Sequence, residues 1–93
     1  MINKKLKKAR NKIDKIDQSL FNLIKKRTLI VKYMLSLKKY KNEIIDRKRI
    51  SVILRKIKKK SIENKVDPRV TNRIWKSMIW SYVDFQRRNF KKK

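Results

Sequence analysis

An apolar stripe with the spacing of an α-helix runs from Leu6 to Leu37, and no Gly or Pro interrupts it. Its members are Leu6, Ala9, Ile13, Ile16, Leu20, Leu23, Ile30, Met34 and Leu37. Recurrence every three or four residues indicates one face of a continuous helix of roughly 35 residues, about 50 Å long at ~1.5 Å per residue. A compact monomer of 93 residues is only about 25–30 Å across, so two short helices of the same chain would not cover this stripe.

A second copy of the chain is the simplest cover for such a stripe. The sequence therefore predicts an intertwined homodimer, in which each copy supplies core that the other lacks. The alternative is a break near Lys38 and Lys39, which would give an ordinary helical bundle.

Two shorter helices are predicted after the first one. Residues 39–45 lose the helical period, which indicates a loop, and Asp46 is a suitable N-cap for a second helix. Asp67 and Pro68 predict the start of a third helix, because Asp caps well and Pro fits the first helical position. The predicted fold class is all-α, with three helices of which the N-terminal one is very long. We expect residues 1–93 to form a single domain with a basic tail over about 88–93.

The composition excludes several kinds of chemistry. The chain has no Cys, no His and no Gly, so disulfides, thiolate catalysis, histidine bases and glycine-rich phosphate loops are excluded, and we expect no metal and no cofactor. Lys and Arg total 31 against seven acidic residues, a formal net charge of +24. This charge favours polyanions or small molecules with several carboxylates as partners.

The hydropathy pattern gives an expectation about the compartment. No apolar run approaches the 18 or more residues of a membrane span, and Lys and Asn interrupt the residues after the basic N-terminus. We therefore expect no membrane partner and a cytoplasmic location.

Polar side chains fall where the pattern calls for apolar ones. Arg27 lies on the stripe of the first helix, and Gln86 lies on the apolar line of the third. Arg10, Lys38 and Arg49 each border an apolar position. Each cation could simply reach solvent or pair with an acid. A pocket lined by Arg and Lys with one neutral amide would instead suit a dianion, and catalysis there would rest on orientation and fixed electrostatics.

The ordered set Arg10, Arg27, Lys38, Arg49 and Gln86 resembles the all-helical class of chorismate mutases, a family that includes the related isochorismate-pyruvate lyases. The resemblance covers about residues 5–90. It implies an isomerase of the shikimate pathway and of aromatic amino acid biosynthesis, which converts chorismate to prephenate by a Claisen rearrangement without a metal. It also implies a homodimer with two shared active sites, each taking Arg10 from one subunit and the other residues from its partner.

The resemblance also implies a role for each of these side chains. Arg10 and Arg27 would bind the two carboxylates of the dianionic substrate. Lys38 and Gln86 would donate hydrogen bonds to the ether oxygen, where negative charge develops as the C–O bond breaks.

The ring end of the implied site departs from the family pattern. The resemblance puts Asp46 and Arg49 there, but Ile50 stands where many mutases have a Glu, and Tyr82 stands where a small polar residue is common. Both departures are similar to the lyases, which eliminate pyruvate from isochorismate to give salicylate. The main hypothesis is a chorismate mutase, and the alternative is an isochorismate-pyruvate lyase.

A basic nucleic-acid-binding helical module is a second alternative, of a different class. The aromatic residues that could offer stacking surfaces for bases are Trp75, Trp80, Tyr33, Tyr40 and Tyr82. However, Trp75 and Tyr82 fall on an apolar stripe, and the sequence has no helix-turn-helix or RNA-binding motif. We therefore expect no specific nucleic-acid partner.

Overall fold

The structure is a computed structural model that describes residues 2–91, and it is built from helices. They are α1 (Ile2–Ser36), a short 3₁₀ helix (Lys41–Glu43), α2 (Arg47–Glu63) and α3 (Pro68–Asn89). No strand occurs between residues 2 and 91. The predicted all-α fold, with three helices and a long first helix of 35 residues, is confirmed.

Both α2 and α3 begin at the residues predicted from the sequence. The Asp46 carboxylate accepts a hydrogen bond from the backbone N–H of Arg49 at 3.0 Å. The Asp67 carboxylate accepts one from the backbone N–H of Arg69 at 2.9 Å, and Pro68 takes the first helical position. These carboxylates satisfy backbone donors that have no partner inside the helix.

The end of α2 has an unusual residue in a left-handed conformation. Lys65 has φ of 56°, although it is not a glycine. Its backbone N–H donates to the Ile62 carbonyl at 3.3 Å, and the N–H of Val66 donates to the Ser61 carbonyl at 2.9 Å. This pair of hydrogen bonds is the Schellman motif, which normally takes Gly at the left-handed position.

The described residues fall into two compact units, with the boundary inside α1 between Tyr33 and Met34. In the first unit the side chains of the apolar stripe are exposed to solvent, from 45% for Leu6 to 61% for Ile16. Ile13, Leu20, Leu23 and Ile30 lie within that range. This stretch of α1 therefore has an exposed apolar face.

The second unit has a small core that joins the end of α1 to α3. Leu35, Ile44 and Val83 are buried together, and Ile45 and Phe90 pack against them. At the other end of the α2–α3 pair, the Ser61 hydroxyl is 2.7 Å from that of Thr71. The core therefore holds the end of α1 against α3, and the contact between Ser61 and Thr71 joins α2 to α3.

Between residues 2 and 91, none of the helices combines the length and the apolar character of a membrane span. The residues predicted as a basic tail begin inside α3, which continues to Asn89. Phe90 is half-buried, and Lys92 and Lys93 lie outside the described residues.

Candidate active site

Lys38 and Gln86 are in direct contact, although 48 positions separate them in the sequence. The Lys38 ammonium donates to the Gln86 side-chain carbonyl oxygen, Oε1, at 2.8 Å. Leu35 lies three residues before Lys38, and Val83 lies three residues before Gln86, and both belong to the same buried core. Packing of that core therefore brings the two polar side chains within hydrogen-bond distance.

A second hydrogen bond fixes the orientation of the Gln86 amide. Its Nε2 donates to the backbone carbonyl of Tyr82, one turn earlier on α3, at 3.2 Å. Gln86 is only 8% exposed, so the amide has little water to compete for these contacts. An amide nitrogen has two N–H groups and an ammonium has three. One N–H of Gln86 and two of Lys38 therefore remain for a ligand.

Burial lowers the pKa of Lys38 below that of an exposed lysine. The cause is loss of hydration around the charged form. The carboxylates of Glu43 and Asp46 oppose this effect, because a nearby negative charge favours the ammonium. Lys38 is thus a partly dehydrated cation, and a dehydrated cation interacts with an anion more strongly than a hydrated one.

An open cavity of about 1050 Å³ adjoins Lys38. Its volume is slightly above the range of about 300–1,000 Å³ that is usual for small-molecule sites. The side chains that line it come from the segment after α1, the first turn of α2 and the end of α3. They are Lys38, Lys41, Asn42, Glu43, Ile45, Asp46, Arg47, Lys48 and Arg87. The structure therefore brings two of the sequence-predicted residues, Lys38 and Asp46, to one cavity.

Glu43 organises the segment between α1 and α2, although the sequence analysis did not select it. Its Oε2 accepts hydrogen bonds from the backbone N–H groups of Lys39 at 2.7 Å and Tyr40 at 2.8 Å. These bonds hold the chain directly after Lys38 in a fixed turn.

Four other predicted residues of the second unit do not line this cavity: Gln86, which touches it through Lys38, and Arg49, Ile50 and Tyr82. Arg49 and Ile50 are in the first turn of α2, where Arg49 is exposed and Ile50 is half-buried. Tyr82 is half-buried, and its ring packs edge-on against Phe85 with centroids 6.2 Å apart. Its backbone carbonyl accepts a hydrogen bond from Nε2 of Gln86.

Arg10 and Arg27 belong to the first unit, on the stretch of α1 before Met34. Arg10 is exposed and Arg27 is half-buried. The neighbours of Arg27 on the stripe, Leu23 and Ile30, are both exposed.

Comparison with known families gives the class of protein. A family model described as chorismate mutase type II matches residues 9–87, which is most of the chain. The chain belongs to the chorismate mutase type II family. The resemblance found in the sequence is thereby confirmed, and so is the predicted class of enzyme, a chorismate mutase of the isomerases. No match was found among curated proteins or among solved structures.

The charge of the cavity is compatible with membership of the chorismate mutase type II family. The substrate of this family is a small molecule with two carboxylates, and the cavity is lined mainly by cations. Among residues 2–91 no group of three or more acidic side chains is placed to hold a metal ion. The cavity offers N–H donors and positive charge, together with the carboxylates of Glu43 and Asp46.

Proposed function

We propose that the protein rearranges chorismate to prephenate in the cavity beside Lys38, with Lys38 and Gln86 as the catalytic residues. The observation that carries this proposal is the 2.8 Å contact between their side chains beside a cavity of ligand size. The proposal assigns no proton transfer to either residue.

The reaction suits a site built from fixed donors. In one step the ether C–O bond breaks and a C–C bond forms within the same molecule, so no covalent intermediate and no external reagent are needed. Negative charge grows on the ether oxygen as the C–O bond lengthens. The free N–H groups of Lys38 and Gln86 would stabilise that charge more strongly in the transition state than in the ground state, which lowers the barrier.

Binding of the substrate carboxylates is assigned to Arg10 and Arg27. The support is their match to the family pattern and the capacity of a guanidinium to hold a carboxylate with two parallel hydrogen bonds. Asp46 and Arg49 are assigned to the ring end. The support there is that Asp46 lines the cavity and holds the backbone of Arg49.

A homodimer with two shared sites is part of the proposal. Its support is the exposed apolar face of α1, on which Ile13, Ile16 and Leu20 are all more than half exposed. Solvent exposure of such a face is unfavourable by roughly 25 cal/mol per Å² of apolar surface, which a second copy would remove. Each site would then take Arg10 from one subunit and Lys38 and Gln86 from the other.

The test is to offer the purified protein chorismate and isochorismate in separate assays. With chorismate we expect loss of its absorbance and formation of prephenate, identified by its acid-catalysed conversion to phenylpyruvate. Turnover no faster than the uncatalysed rearrangement would contradict the proposal.

Isochorismate-pyruvate lyase activity is the second candidate, and Ile50 favours it. Ile50 is a half-buried aliphatic residue beside Arg49, at the position where a mutase often has a carboxylate for the ring hydroxyl. The isochorismate assay tests this candidate through the fluorescence of salicylate. Salicylate formation without prephenate formation would favour the lyase over the mutase.

A further inference from the structure

The cavity beside Lys38 has more positive charge than the proposed chemistry uses. Its described lining includes five cations and two carboxylates, an excess of three positive charges. Only Lys38 among these cations has a proposed catalytic role. The other four, Lys41, Arg47, Lys48 and Arg87, form a group that we name the basic rim.

The two carboxylates of the cavity do not form ion pairs with the rim. Glu43 accepts from two backbone N–H groups at 2.7 and 2.8 Å, and Asp46 accepts from the backbone of Arg49 at 3.0 Å. Within the described part of the chain, Arg87 is the rim residue with an ion pair, at 4.0 Å to Asp84. Most of the positive charge of the rim is therefore available to an anion.

Exposure distinguishes the rim from the catalytic pair. Gln86 is buried and Lys38 half-buried, whereas all four rim residues are exposed. An exposed, hydrated cation is a poor donor for a specific transition-state contact, but its field reaches about 10 Å at 0.1 M salt. Clefts lined by charges of one sign raise the local concentration of oppositely charged ligands.

We propose that the basic rim attracts the dianionic substrate into the cavity and sets its affinity, without contacting the bonds that rearrange. The identity of that dianion rests on the proposed function. The rim itself would act on any ring compound with two carboxylates, since it recognises charge rather than the ether bridge.

The experiment compares two triple variants with the same change in net charge. The rim variant carries Lys41→Gln, Arg47→Gln and Lys48→Gln. The control variant carries Arg55→Gln, Lys58→Gln and Lys59→Gln, which removes three exposed cations from a separate groove on α2. Circular dichroism checks that both variants keep their helix content.

The kinetic readout is kcat and KM for chorismate at two salt concentrations. At ~20 mM salt the rim variant should raise KM by about tenfold with kcat within about twofold, and the control should keep both within about twofold. At ~0.5 M salt the difference in KM should shrink to about twofold, because the field is screened. An unchanged KM in the rim variant, or an equal rise in the control, overturns the proposal. A rim variant with a lower kcat and an unchanged KM also overturns the proposal.

A binding readout separates this proposal from the proposed function. Isophthalate is a ring dicarboxylate that no mutase step can consume, and its binding is followed by NMR shifts of the backbone amides of Lys38 and Ile45, which line the cavity and are unchanged in both variants. We expect isophthalate to bind the rim variant about tenfold more weakly and the control variant with native affinity. This result supports the proposed role of the basic rim even if chorismate is not turned over. Equal isophthalate affinity in the native protein and the rim variant overturns it.

Discussion

Lys38 combines a fixed position with partial dehydration. It donates to Gln86 at 2.8 Å, and burial lowers its pKa. A donor held in this way needs little reorganisation when charge appears on the substrate. In the proposed catalysis, Lys38 is therefore a charged donor whose position is set before the substrate binds.

Removal of the Lys38 ammonium should abolish most of the activity. Lys38→Ala is expected to lower kcat at least a hundredfold, the scale of losing one transition-state donor (~3 kcal/mol). Lys39→Ala is the matched control, because Lys39 is the adjacent residue, is exposed, and uses its backbone N–H to bind Glu43. Steady-state assays with chorismate measure both. Equal rates for the native protein and Lys38→Ala would refute the assignment.

Because the pKa of Lys38 is lowered, the activity should decrease at alkaline pH. Only the ammonium form carries the charge that stabilises the ether oxygen, so activity should fall as pH rises through the pKa of Lys38. Because burial lowers that pKa, the fall should occur at a lower pH than an exposed lysine would give. A carbon-detected NMR titration, with Lys38→Met to assign the signal, measures the pKa directly. A Lys38 signal that titrates together with the exposed lysines contradicts this prediction.

Sequence pattern predicted some site residues and missed others for a physical reason. Gln86 stood out because a buried amide on an apolar line is unfavourable without a partner. Its partner, Lys38, lies 48 positions away, and the resemblance supplied that link. Glu43 and Arg87 gave no such signal, since a charged residue in a loop or near a helix end is ordinary. Their place beside the cavity depends on packing of the core.

At the scale of elements, the two short helices are capped by side chains at their starts. Asp46 and Asp67 were predictable because capping needs a short acceptor directly before the first turn. The end of α2 was not predictable. Lys65 takes the left-handed position in a chain that has no Gly at all, so composition gave no indication of it.

Lys65→Gly should therefore stabilise the fold. A left-handed backbone is unfavourable for a residue with a Cβ and not for Gly, so the free energy of unfolding should rise by about 1 kcal/mol. Lys60→Gly, an exposed position inside α2, is the control and should lower it by about 1 kcal/mol, because Gly weakens a helix interior. Urea unfolding followed by circular dichroism measures both. A destabilised Lys65→Gly would mean that residue 65 does not adopt this conformation.

At the scale of the whole molecule, the net charge of +24 has a consequence apart from catalysis. We expect the protein to adhere to DNA at low salt and to release it near physiological salt, because purely electrostatic contacts weaken steeply as salt rises. Fluorescence anisotropy with a labelled duplex measures this. Tight binding that survives physiological salt would instead support the nucleic-acid-binding alternative.

The long α1 was predictable because an apolar stripe with helical spacing, uninterrupted by Gly or Pro, indicates a continuous helix. What covers its exposed apolar face is a property of the assembly. We predict a dimer of about 23 kDa, twice the chain mass of 11.5 kDa, by light scattering. If the two copies share their active sites, each site must contain residues from both chains.

The most direct test of shared active sites mixes two inactive variants. Arg10→Ala and Lys38→Ala chains are unfolded together in equal amounts and refolded, so that half of the dimers contain one of each. In a mixed dimer with shared sites, one site has both defects and the other has none. The account predicts that the mixture regains about a quarter of the native activity towards chorismate. A mixture no more active than its two parents would contradict it.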